Sequence, residues 1–227
     1  MVDVVSARAA PRLPVKGGGS FPVRRIYCVG RNYADHVREM GGDPKTQPPV
    51  FFTKPADAVV ASGAEIPYPP ATDDLHYEAE LVLALCSDGA RVSAEGAEDL
   101  IFGYAVGCDL TRRDRQKEAK DAGAPWDVAK AFDNSAPVGP VVRKGEADLK
   151  DARIRLSVNG APRQDAALAS MIWTPAEIIA ALSERFALAA GDLVFTGTPE
   201  GVGPLVAGDA VRAEIDGLEA LTFSIAQ

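Results

Sequence analysis

The stretch "DLHYEAELVLALC", Asp74 to Cys86, leads into an almost unbroken apolar strand and carries two acids, Glu78 and Glu80, at its start. Side chains two residues apart project from one face of a strand, so the two carboxylates are neighbours. Burial and like-charge repulsion both oppose their ionisation, and a cation between them relieves both. The chain of 227 residues, 47% of them hydrophobic, is long enough for one globular domain with a substantial core around such a strand.

Further segments rich in β-branched and aromatic residues recur between turn formers: "RRIYCVG", "IFGYAVGCDL", "VGPVV", "ARIRLSV", "DLVFTG" and "AVRAEID". The Asn159–Gly160 pair predicts a tight hairpin, because both turn residues must take positive φ. "TPAEIIAALSERFALAAGD" predicts a helix with Thr174 as N-cap, Pro175 in its first position, Glu177 closing a capping box and Gly191 as the stop. "NYADHVREMG" reads as a short helix stopped by Gly41 and Gly42. Many strands, few helices and no regular strand-helix alternation give a mainly β protein with short helices (α+β), its sheets mixed or mainly antiparallel. Residues 1–23 read as an extended N-terminal arm ending in the flexible "KGGGS", and residues 24–227 as the folded domain.

A formal charge of −8 argues against nucleic acid or an anionic membrane surface, since either calls for a basic face. The start of the chain has no signal-peptide core and no later apolar run is long enough to cross a bilayer, so the cytoplasm is the expected location. Cys28, Cys86 and Cys108 lack any paired spacing and are expected to be buried packing residues.

Asp109, at the end of "IFGYAVGCD", is the best third partner for Glu78 and Glu80. Three carboxylates make a hard, all-oxygen site suited to Mg²⁺, Mn²⁺ or Ca²⁺, with positions left for water or substrate. The alternative is a solvated strand end paired with arginines, Asp109 being a turn former. His36 has Glu39 at the i+3 position of a helix, an arrangement of base and orienter able to activate water. The same spacing also describes a surface pair. His76 is a second base or, preferably, only a residue at the start of its strand. Lys54, Arg112, Arg113, Gln116 and Lys130 form a set suited to holding substrate carboxylates, and Thr198 in "FTGTPEGVG" sits in a Gly-rich turn that either meets an anion or merely connects.

In order, "VGRNYADHVREMG", "FFTKPADAVV", "DLHYEAEL", "GYAVGCDLTRRDRQ", "PWDVAKAFDNSAPVGP" and "FTGTPEGVG" resemble the fumarylacetoacetate hydrolase family, in its short bacterial branch acting on acylpyruvates. The resemblance covers residues 24 to 226 and implies a mixed β-sandwich roll assembled as a homodimer. It implies a hydrolase, dependent on Mg²⁺ or Mn²⁺, that cleaves the C–C bond of a small 2-oxo acid, with fumarylpyruvate going to fumarate and pyruvate. By the same resemblance Glu78, Glu80 and Asp109 are metal ligands, His36, Glu39 and Lys130 are catalytic, and Lys54, Arg113, Gln116 and Thr198 contact substrate. Tyr77 stands where many relatives carry a second histidine, and on an extended strand it should point away from Glu78 and Glu80. An oxaloacetate decarboxylase, a 2-hydroxydienoate isomerase or a non-catalytic cation-binding domain are the competing readings.

Overall fold

A computed structural model of the full chain describes residues 4–6, 9–34 and 48–227. The helix expected over "NYADHVREMG", with His36 and Glu39, lies mostly outside the described residues. The rest is mainly β, with strands gathered into four sheets of mixed direction. The largest has eight strands, with Ala79–Leu85 near its centre between Ile101–Cys108 and Asp192–Phe195. Arg25–Gly30 and Val50–Lys54 extend it on one side, Ala136–Val138 and Val59–Ala61 on the other. A five-stranded sheet built on Arg153–Val158 and Ala210–Ile215 packs against it.

Apolar positions along Ala79–Leu85 alternate between two cores. Leu81, Leu83 and Leu85 join a cluster with Ile154, Leu156 and Ile215 of the five-stranded sheet. Val82 and Ala84 join another with Leu193, Phe195, Leu13 and Phe21. The strand is buried on both faces, which is why its sequence is apolar without interruption.

The second of those cores corrects the reading of an extended arm. Arg12–Pro14 and Ser20–Pro22 pair as an antiparallel hairpin with Leu13 and Phe21 buried, and "KGGGS" is its turn. Backbone hydrogen bonds from Lys16 N–H to the Val141 carbonyl (2.9 Å) and from Val141 N–H to the Pro14 carbonyl (2.8 Å) fasten it to the body.

The Asn159–Gly160 hairpin forms as expected, with φ of 52° and 77°. The capping box of Thr174 and Glu177 is present, but the helix covers only Pro175–Ser183 and stops well short of Gly191. A helix not anticipated, Arg113–Ala122, ends on Gly123 in the left-handed conformation. Cys28 and Cys108 are buried, whereas Cys86 is exposed, contrary to expectation. Among the described residues no helix is long and apolar enough to cross a membrane.

The segment holding Glu78 and Glu80 is two strands rather than one. Leu75–Tyr77 belongs to a small sheet with Thr111–Arg112 and Gly203–Leu205. The chain breaks at Glu78 before entering the large sheet at Ala79. Its antiparallel neighbour makes the reverse passage at Asp109, leaving the large sheet at Cys108 and joining the small one at Thr111. The two crossings lie side by side, joined by a 2.8 Å hydrogen bond from Asp109 N–H to the Glu78 carbonyl.

Candidate active site

These crossings bring Glu78, Glu80 and Asp109 together, all three buried, with one carboxylate oxygen from each within 4.8 Å of the others. Lys130 closes the short helix Asp127–Lys130 and reaches under the cluster. Its ammonium donates to Glu78 Oε2 (2.8 Å), Asp109 Oδ2 (2.6 Å) and Thr111 Oγ1 (2.6 Å). Lys54, at the end of its strand, lies 2.8 Å from Asp109 Oδ1 and donates to the carbonyls of Leu110 and Lys130. Arg113, the first residue of its helix, donates to Glu78 Oε1 and to Gln116 Oε1, both at 2.6 Å.

Glu80 is different. Among the described residues it touches no cation, and its Oε2 accepts a 2.6 Å hydrogen bond from Gly197 N–H. Gly197 has φ of +93°, and a Cβ there would stand 2.8 Å from the Asn32 Cβ, so the position needs glycine to bring its amide to Glu80. Burial pushes the Glu80 carboxyl well above the ordinary carboxylate range, with Asp109 and Glu78 adding to the rise while Lys130 and the Gly197 amide oppose it. For Lys130 burial disfavours the ammonium, yet Asp109 and Glu78 outweigh it and raise its pKa.

A divalent cation fits this arrangement. Asp109 Oδ1 is buried without a hydrogen bond, its Lys54 contact being an ion pair of poor hydrogen-bond geometry. Oxygens on one small octahedral ion at about 2.1 Å sit about 3.0 Å apart when adjacent and about 4.2 Å apart when opposite, so a triad whose oxygens lie within 4.8 Å of one another closes around it by side-chain movement alone. Such an ion would reverse the penalty on Glu80, and the donor set contains only oxygen.

One cavity opens onto the cluster, lined by Glu78, Glu80, Arg113, Gln116, Lys130 and Thr198 among others. Seven of the residues singled out in the sequence therefore stand together, Asp109 and the six that line the cavity. Lys54 is not in the cavity wall and is spent on Asp109 and two carbonyls behind it. Arg112 turns elsewhere, donating to the Val128 carbonyl (3.0 Å) with its guanidinium 4.4 Å from the Phe132 ring centre. His76 bonds Asp74 (2.9 Å) and accepts weakly from Arg113 (3.4 Å), and burial followed by the Arg113 charge lowers its pKa. His36 and Glu39 lie outside the described residues. Tyr77 packs into the main core cluster.

Gln164 escaped the sequence reading. Its amide accepts from Ala79 N–H (3.0 Å) and donates to Thr198 Oγ1 and the Pro199 carbonyl (both 2.9 Å), clamping the chain between the two glutamates to the Gly-rich turn. A polar residue at an inward position of the alternating strand "APRQDAA" was the available signal.

Comparison with known proteins agrees with this geometry. A fumarylpyruvate hydrolase of Ralstonia sp is 42% identical over 183 residues, 81% of this chain and 95% of that protein. The mitochondrial oxaloacetate tautomerase FAHD1 of Mus musculus is 41% identical over 89% of this chain and 91% of its own length. The crystal structure of fumarylpyruvate hydrolase from Pseudomonas aeruginosa in complex with Mn²⁺ and pyruvate superposes with a TM-score of 0.96 at 46% identity, covering 99% of both chains. Residues 25–226 match the fumarylacetoacetate (FAA) hydrolase C-terminal family, and with an acidic triad buried where two sheets exchange strands the chain belongs to that family of enzymes.

Proposed function

We propose that this protein is a metal-dependent hydrolase of acylpyruvates, cleaving fumarylpyruvate to fumarate and pyruvate. The observation that carries the reading is the likeness, at a TM-score of 0.96, to the fumarylpyruvate hydrolase that binds Mn²⁺ and pyruvate. Glu78, Glu80 and Asp109 would hold Mg²⁺ or Mn²⁺, which when bound supplies Lewis-acid polarisation of a 2-oxo acid.

The protein's own residues divide the remaining work. Arg113 and Gln116 line the cavity from one helix, where a cation and an amide orient the substrate carboxylate. Thr198 presents its hydroxyl from the opposite turn, held by Gln164. Lys54 acts as a positioning residue that fixes Asp109. His36 takes a proton from water and Glu39 supports the imidazolium, roles that rest on the family pattern in "HVRE". The water oxygen bonds to the acyl carbon, the C–C bond breaks, and its electron pair stays with the pyruvate fragment until that carbon is protonated. Lys130 balances the charge that develops on that fragment. The same reading carries a homodimer, implied by the family resemblance, and a cytoplasmic location, expected from the sequence.

A second reading, oxaloacetate tautomerisation, is favoured by relatives of that name at about the same identity. It moves a proton and breaks no C–C bond. Product analysis with Mg²⁺ or Mn²⁺ separates the two: fumarate and pyruvate in equal amounts support hydrolysis, while enol–keto exchange of oxaloacetate without cleavage of fumarylpyruvate supports the tautomerase. His36→Ala should abolish hydrolysis with metal affinity retained, and Glu78→Ala should remove the metal first. Equal loss of turnover and metal in His36→Ala would refute its assignment as the base.

A further inference from the structure

The helix Arg113–Ala122 carries a stripe that the chemistry above uses only in part. Arg113, Gln116 and Lys120 stand at i, i+3 and i+7, on one face of the helix. All three line the cavity that contains Glu78 and Glu80. Arg113 is committed to Glu78 and Gln116 to Arg113. Lys120 has no carboxylate within ion-pair distance among the described residues. It is half-buried, its ammonium 5.4 Å from the centre of the Trp126 ring, another wall of the same cavity.

A lysine in this position is electrostatically unsatisfied. Burial lowers its pKa, and the neighbouring charges of Arg113 and Arg31 lower it further, with Glu78 opposing. Cations crowded on a half-buried wall are what an arriving anion relieves. The stripe also has a length. Seven residues of helix rise about 10 Å, so Lys120 marks the far end of a track that starts at the acidic cluster. The two carboxylate carbons of an extended seven-carbon dioxo diacid lie six bonds, roughly 7–8 Å, apart. Those of oxaloacetate are three bonds apart and do not reach both ends.

We infer that Lys120 is a specificity residue that binds the distal carboxylate of a dianionic acylpyruvate while the 2-oxo acid end lies at Glu78, Glu80 and Asp109. The inference rests on the acylpyruvate reading and narrows it to substrates whose acyl part ends in an acid.

The test compares Lys120→Met, which keeps the aliphatic stem against Trp126, with Lys120→Arg and with Lys117→Met. Lys117 is on the same helix, exposed and paired with Asp121, and controls for loss of one charge from the surface. With the Mg²⁺-loaded enzyme, Lys120→Met should raise KM for fumarylpyruvate about tenfold, with kcat little changed and acetylpyruvate kinetics as in the wild type. Lys120→Arg should restore the fumarylpyruvate KM, and Lys117→Met should alter neither substrate. Equal losses on both substrates, no change on either, or the same effect from Lys117→Met would overturn the inference.

Calorimetric titration with fumarate and with crotonate, which lacks the second carboxylate, supplies a readout independent of turnover. Fumarate should bind the wild type and weaken about tenfold in Lys120→Met, with crotonate indifferent to the change. Fumarate binding absent from the wild type or unchanged in the variant would overturn the assignment of Lys120. Failure of the wild type to cleave either acylpyruvate would refute the proposed reaction instead, and the titration would still judge the lysine.

Discussion

Replacing Lys130 by Met should make the metal-free protein less stable and its hold on a cation tighter. The residue is 2% exposed, and its ammonium donates to two buried carboxylates at 2.8 and 2.6 Å. Removing one partner of a buried ionic cluster leaves charge without compensation and destabilises by about 3–5 kcal/mol. Met fills most of the space of the lysine stem, so little of that loss comes from a cavity. Urea unfolding at pH 8 with chelator measures it. The same substitution takes a positive charge from beside Glu78 and Asp109. Couplings of close, desolvated charges amount to about 1.5–7 kcal/mol, so even the lower limit tightens Mg²⁺ binding about tenfold. Saturating Mg²⁺ should therefore recover more stability in the variant than in the wild type. The stability gap should narrow as pH falls, because Glu80 already favours its protonated form and lets the cluster shed charge. A variant as stable as the wild type in chelator, or one binding Mg²⁺ no more tightly, would refute the account of Lys130 as the counter-charge of the triad.

Two further outcomes follow from the same geometry. The raised Glu80 pKa means that the folded carboxyl holds a proton at pH values where an ordinary carboxylate has lost it. Stability from that group is fully present below the unfolded pKa and declines as pH rises through the folded one, while Mg²⁺ affinity climbs over the same window because the proton must leave. Calorimetry across pH should show the climb in the wild type and a flatter profile in Glu80→Gln; equal slopes would count against Glu80 as a ligand. Gly107→Ala would place a methyl 2.5 Å from Val82 Cγ2 and 2.7 Å from Phe195 Cε1, directly across the ladder from Glu80. Overpacking of that kind costs about 1–3 kcal/mol and should lower Tm and metal affinity together, whereas an unchanged melting curve would mean that the core yields there.

Much of this could be read from residue order because local and global preferences agree. Asn-Gly between two β-rich runs and the Thr174–Glu177 capping box specify their structures within a few residues. The acids announced themselves because buried carboxylates at a strand start have so few physical justifications. Elsewhere the signal was absent or pointed the other way. Arg113–Ala122 has no apolar stripe, its surface pairs Arg115–Glu118 and Lys117–Asp121 replacing the hydrophobic period by which helices are recognised. "KGGGS" reads as flexible on its own, and only the docking of Leu13 and Phe21 on a distant sheet turns it into a hairpin bend. Lys54 looked like a substrate contact because nothing local reveals that its ammonium is enclosed behind Asp109. The break at Glu78 is likewise tertiary, set by two sheets competing for one continuous segment.

The Gly197 amide that holds Glu80 arrives from a late part of the sequence, long after Lys54, Glu78, Asp109 and Lys130 have been synthesised. Loops this long close slowly against chain entropy, so a growing polypeptide on the ribosome carries the acids without the architecture that gathers them. A cation that needs the complete set of ligands is thereby captured only after Gly197 has been made, so loading follows assembly of the site rather than nucleating it.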